Sequence, residues 1–265
     1  MQNYKADQLI QDGSMELELA VISVLGDRED QQDCFGYSLK PGEGLIAVCD
    51  GMGGHEGGRL ASSVAVNRMI SSYDETYPHV EISSFLLEEV HKADREVYQL
   101  AREDGTLLRA GTTVCAVFVK DRKLSWVSVG DSRIYLLRDE EFVQITHDHN
   151  YRLALDEHLA AGAISEEEYQ RELARGEALI SFLGLGELKI IDINTVPFEL
   201  QKDDRIILMS DGLYKLASDE EIKRILLNFN NISDALQALE MKAKKNAKYA
   251  TVKRDNMTVA LVRIK

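Results

Sequence analysis

Apolar residues alternate with polar ones, or run together, in three successive short segments: LELAVISVL (17–25), CFGYSL (34–39) and GLIAVCD (44–50). Period-two runs of this length predict strands. The spacing then turns helical. GGRLASSVAVNRMISSY (57–73) sets small and apolar residues at that spacing, and ISSFLLEEVHKADREVYQLARED (82–104) is longer and amphipathic. Strand patterns return at 112–120, 124–131, 133–138 and 141–146, again at 189–200 and 204–212, and last at MTVALVRI (257–264). Helices are predicted over 218–228 and 232–248. The stretch 147–190 reads differently, with weakly apolar helices, a Gly162–Ala163 break and a capping box of Ser165 with Glu168; Ser218 and Glu221 form a second box.

Grouped strands, a helix pair, grouped strands, a helix pair and a closing strand do not make a regular βαβ alternation. They predict an α+β fold, a four-layer α-β-β-α sandwich of two mainly antiparallel sheets with helix pairs outside. Residues 147–190 would be a flap inserted over one edge. Three prolines in 265 residues and no Ser/Gly-rich stretch leave no linker, so one domain over 1–265 is expected.

Composition narrows the function classes. With 31 basic against 45 acidic residues the net charge is −14, which repels nucleic-acid backbones and anionic lipid; neither nucleic acid nor membrane is an expected partner. Cys34, Cys49 and Cys115 are an odd count at no metal-like spacing. No apolar run approaches membrane length, and MQNYKADQLIQDG has no signal-like core. A soluble, cytoplasmic protein is the expectation.

Candidate chemistry sits where strands end and glycines begin: Asp50-Gly51, Asp131 after Gly130, and Asp211-Gly212, with Asp255 just before the last strand. Asp-Gly is a common turn dipeptide, and for any one position that suffices. Four such carboxylates without convergent His or Cys suit a hard cation, Mg²⁺ or Mn²⁺. DGMGGHEGGRLAS (50–62) is glycine-rich but fits neither the P-loop, since Arg59 and Leu60 follow Gly58, nor the dinucleotide fingerprint, since Glu56 stands where Gly is needed. Cys49 lacks the arginine of a tyrosine-phosphatase loop and is expected in the core, as is Trp126. His147, His149 and His158 have no metal spacing and are expected at the surface, and ISEEEYQRELARGE as a solvated helix face.

DGMGGHEGG after the strand LIAVC resembles the signature of the metal-dependent (type 2C, or PPM) protein serine/threonine phosphatases in their bacterial form. Further motifs stand in the family's order: Arg28 to Gln32-Asp33, AGTT (110–113), VGDSRIY (129–135), THDH (146–149), FLG (182–184), MSDGL (209–213) and DNMT (255–258). The resemblance spans 17 to 264.

The resemblance implies that Asp50 bridges two metal ions and that the Gly51 carbonyl ligates one. Asp211 and Asp255 would hold the other, and Asp33 would act through metal-bound water. Arg28 would bind substrate phosphate, and Asp131 with Asp211 would offer a third, weaker position. Two tightly bound Mn²⁺ or Mg²⁺ ions would then support attack by a bridging hydroxide without a phospho-enzyme. Asn256 would shape the turn carrying Asp255. Gln31 replaces the usual Asn, Gln32 the Glu of some relatives, Asn150 the usual Ser, and Met52 the His of animal relatives; His55 is the candidate general acid. Implied partners are phosphorylated proteins, among them a Ser/Thr kinase and its substrates. A small-molecule phosphoesterase would use the same site. A pseudophosphatase binding module would typically have lost ligands, whereas all are present here.

Overall fold

The computed structural model describes residues 7–13, 17–76 and 81–265, with the backbone alone for residues 7–12 and 55. In chain order the first strands are β1 (Asp7–Gly13), β2 (Leu17–Val24), β3 (Cys34–Lys40), β4 (Glu43–Cys49) and the two-residue β5 (Gly51–Met52). Helices α1 (Gly54–Thr76) and α2 (Ile82–Tyr98) follow. Then come β6 (Gly111–Thr112), β7 (Val114–Lys120), β8 (Lys123–Val129), β9 (Arg133–Arg138) and β10 (Glu141–Gln144). The flap holds α3 (Tyr151–Ala160) and α4 (Glu166–Glu172). The chain closes with β11 (Asp192–Ile193), β12 (Phe198–Glu199), β13 (Arg205–Met209), α5 (Asp211–Tyr214), α6 (Asp219–Asn228), α7 (Ile232–Ala250) and β14 (Met257–Ile264).

One sheet runs β1-β2-β14-β13-β9-β10 and the other β11-β8-β7-β4-β3, with β12 also on β8; every pairing is antiparallel. Alternation decides the layers. In β2, Leu17, Leu19 and Val21 face the other sheet, where they meet Ile46, Val48 and Val117, while Ala20, Ile22 and Val24 face α6 and α7. On the far side Ala61, Ala65, Met69 and Tyr73 of α1, and Leu86, Val90, Ala93 and Val97 of α2, cover Leu45, Ala47 and Cys49. The fold is the four-layer α+β sandwich. Cys49 is fully buried, and Trp126 packs against the inter-sheet core.

Three elements depart from the pattern-based expectation. Residues 7–13 form an edge strand on β2 that two adjacent apolar residues, Leu9 and Ile10, did not signal. The expected continuous strand over 189–200 is interrupted. Its two short pieces pair with β8, and between them the Asn194 side chain accepts from Trp126 N–H (2.7 Å) and donates to the carbonyls of Leu124 (3.0 Å) and Val196 (2.9 Å). Pro197 has no N–H for the ladder, so a side-chain amide takes over part of the pairing. Helix α2 also stops before the expected residue 104, because the chain turns back through a bridge between Ala101 and Leu107. Both capping boxes are present, and α4 buries none of its residues. Among the described residues no helix is long and apolar enough to cross a membrane.

Candidate active site

Strand β4 ends at Cys49 and delivers Asp50 to the end of its sheet. The backbone there is held on both sides. Asp50 N–H donates to Thr113 Oγ1 (2.9 Å), and its carbonyl accepts from Thr113 N–H (2.9 Å) and Thr112 Oγ1 (2.8 Å). Thr113 Oγ1 shares a hydrogen bond with Ser132 Oγ (2.7 Å), which ties AGTT to the GDSR turn. Gly51 must be glycine: a Cβ would lie 2.1 Å from the Gly58 carbonyl and 2.6 Å from that of Gln32. The glycine lets three backbone segments meet at the edge of the cleft, where a ligating carbonyl is expected.

The other carboxylates arrive from the ends of β13 and β14 and from the loop before β3. Asp211 is the first residue of α5; Ser210 stands at the N-cap position, but its hydroxyl does not cap the helix and instead donates to Asp33 Oδ2 (2.7 Å) and accepts from Thr258 N–H (2.9 Å). Asn256 joins two distant motifs. Its Oδ1 accepts from Gln32 N–H (2.9 Å) and its Nδ2 donates to the Leu25 carbonyl (2.8 Å), locking the Arg28 loop against the turn carrying Asp255. Arg28, Gln32, Asp50, Gly51, Asp211 and Asp255 line a cleft of about 420 Å³.

Charge accumulates there. Burial pushes Asp33 up to about 7, with the charges of Asp211 and Asp255 adding to it against the Ser210 hydrogen bond. Burial, then Asp33, Asp211, Asp131 and Asp255, hold the Asp50 carboxyl well above the ordinary range. Asp131, only 7% exposed, is raised to about 6 by burial first and Asp211 second. Four of the predicted residues thus act on Asp50 at once, as a cation-binding centre requires.

Among the described residues no three acidic, His or Cys side chains close into a finished ligand group. Two carboxylates are instead turned to cations: Asp255 to Arg28 (2.5 Å) and Asp211 to Lys215 (2.6 Å). The residues nevertheless fit a hard divalent ion. The donors are all oxygens, and Asp33 Oδ1 is buried without a hydrogen-bond partner. Arg28, expected on substrate phosphate, has its guanidinium on a predicted ligand.

Some residues surprised or were missed. His149, expected at the surface, is buried; its Nδ1 accepts from Gly130 N–H (3.2 Å), and burial lowers its pKa. Its role is to fix the GDSR turn to the flap. His147 is exposed and pairs with Asp192 (2.9 Å). The His55 side chain lies outside the described residues. Asn150 caps α3. Thr113 and Ser210 stood in recognisable motifs but gave no local sign of what they hold. Lys215 had one available signal, its position four residues after Asp211 in a helix.

An α-β-β-α sandwich whose strand ends gather carboxylates and one arginine around a cleft defines a metal-dependent phosphatase. Residues 23–247 match protein phosphatase 2C, and the chain belongs to that family. It is 31% identical to the serine/threonine phosphatase stp of Listeria welshimeri over 229 residues, 85% of this chain and 86% of that protein. Among solved structures, the S. agalactiae serine/threonine phosphatase superposes with a TM-score of 0.80 at 28% identity, over 94% of this chain and all of that one. The catalytic domain of the serine/threonine protein phosphatase PstP, solved with two manganese ions, superposes with a TM-score of 0.72 at 27% identity, over 94% of this chain and 98% of that one.

Proposed function

We propose that the chain, as a single domain over 1–265, hydrolyses phosphoserine and phosphothreonine in phosphoproteins, a Ser/Thr kinase and its substrates being the partner class. The observation that carries the proposal is the buried, unpartnered Asp33 Oδ1 among the carboxylates Asp50, Asp131, Asp211 and Asp255, three of which line the cleft. Asp50 and the Gly51 carbonyl would hold one Mn²⁺ or Mg²⁺, and Asp50, Asp211 and Asp255 a second. Asp33 would act through bound water, and Asp131 with Asp211 would offer a weaker third position. Ions bound there would screen the phosphate dianion and lower the pKa of a coordinated water.

The chain's own residues then have defined tasks. Arg28 exchanges Asp255 for two phosphate oxygens, a match to its planar fork that Lys would not reproduce. Its 58% exposed side chain is free to make that swing. Ser210 holds Asp33 by one oxygen and leaves the other to accept a proton from water. Thr113 and Asn256 keep Asp50 and Asp255 at fixed positions, so the ligand oxygens need not reorganise.

The test is hydrolysis of phosphoseryl and phosphothreonyl peptides by the purified protein with Mn²⁺, with chelator, and against a panel of small phosphate esters. Metal-dependent peptide turnover is expected. Turnover confined to the small esters would replace the protein substrate with a metabolite.

A further inference from the structure

Asp131 and Asp211 are both capped by the same dipeptide. At the end of α5 the Tyr214 hydroxyl donates to Asp131 Oδ2 (3.3 Å), and the next residue, Lys215, places its ammonium on Asp211 Oδ2 (2.6 Å). The second contact follows from helix geometry. Asp211 opens α5 and Lys215 lies four residues on, so a long cationic side chain leans back over the first turn and onto the carboxylate. The first contact is backed by packing. The Arg133 guanidinium stacks on the Tyr214 ring at 3.6 Å and is itself gripped by Asp148, with Nε and Nη2 contacts of 3.0 and 2.7 Å. Tyr214 cannot leave Asp131 without disturbing that pair.

We propose that Lys215 is a tethered cation occupying the outer position shared by Asp131 and Asp211, so that a third divalent ion binds there only by displacing it. This rests on the metal-centre assignment proposed above and sharpens it. The inner centre, built on Asp50, Asp211 and Asp255, shares Asp211 with the outer position and carries Arg28 on Asp255, but among the described residues no ion pair reaches Asp50, whereas the outer position has a covalently attached occupant that dilution cannot remove. With its side chain 47% exposed, Lys215 yields to solvent cations at a cost. It is therefore a competitor and not a plug. The same ammonium borders a groove of about 600 Å³ lined also by Arg133, Asp148, Arg152 and Glu177, so displacing it would alter the charge of the flap-side groove as well.

Calorimetric Mn²⁺ titration of the whole chain, with spectroscopic counting of bound Mn²⁺, decides this in wild type, Lys215→Met, Lys215→Arg and the Asp131→Asn/Lys215→Met double variant. Lys215→Met should gain an outer ion or bind it about tenfold tighter, since an exposed ion pair and a like charge are both removed. Lys215→Arg should titrate like wild type, and Asp131→Asn should cancel the gain. A mere i,i+4 helix pair would shift melting temperature without moving metal count or affinity. Identical titrations for wild type and Lys215→Met, with both folded by melting, would overturn the proposal. A folded wild type taking up no Mn²⁺ would bring down the metal-centre assignment and the proposal with it.

Discussion

The cleft and the flap meet at the groove beside Lys215, yet they are held by opposite means. Most carboxylates of the site are fixed from far along the chain: Asp50 by Thr113, Asp33 by Ser210, and the Asp255 turn through Asn256 to Gln32, with only Asp211 held locally, by Lys215. Among the described residues the flap is anchored at its ends. His149 exchanges hydrogen bonds with Gly130, Leu183 with Thr112, and Gly184 N–H donates to Asp94 (2.8 Å). Between those anchors α3 buries Leu155 alone and α4 nothing. Rigid strand ends suit chemistry that tolerates no misplacement, while a solvated insertion can change sequence without disturbing it.

The sharpest break of that contrast is Asp50→Asn. Loss of a charge shared by two ions should lower phosphopeptide turnover at least about a thousandfold with the fold intact. Wild-type turnover in a folded mutant would remove the bridging role.

Asn256→Ala should come next. Leaving Gln32 N–H and the Leu25 carbonyl without their partner costs about 2 kcal/mol or more, read as a lower melting temperature together with weaker Mn²⁺ binding. A destabilised variant with unchanged metal affinity would show that the clamp serves stability only.

Acidity tests the cleft alone. Asp33 at about 7 and Asp131 at about 6 sit above the ordinary carboxyl value of about 4. Between pH 4 and 7 the folded state therefore binds more protons than the unfolded one, and stability of the metal-free protein falls as pH rises through that window. Melting in chelator should be lower at pH 7.5 than at 5.5, and Mn²⁺, competing with protons for the same oxygens, should reverse the order. A flat profile in chelator would mean that these carboxylates ionise freely.

Arg28→Ala should raise KM about tenfold while Mn²⁺ affinity stays equal or improves, because Asp255 loses its ion pair. An unchanged KM would take Arg28 out of phosphate binding. The smallest effect is expected in the flap. Ser165→Ala removes the hydroxyl half of the α4 capping box, at about 1 kcal/mol of local helix stability, and should leave hydrolysis of a small aryl phosphate untouched. A matching loss of turnover would show that the flap's interior is coupled to the cleft.

Period-two and helical patterns are set by neighbours within a few residues, so the layers, the capping boxes, the buried Cys49 and the solvated α4 were all legible in the amino-acid sequence by itself. The strand-end carboxylates were legible too, because a strand that stops at Asp-Gly places its carboxylate at the end of the sheet wherever the strand lies. Sheet order and register decided the rest. They alone bring Asn256 to Gln32, Ser210 to Asp33 and His149 beneath Gly130, and they give residues 7–13 an edge to pair with. Arg28 on Asp255 joins positions 227 residues apart. A contact of that separation leaves no local signature, because its energy depends on where two sheets place the partners and not on what either sequence favours alone.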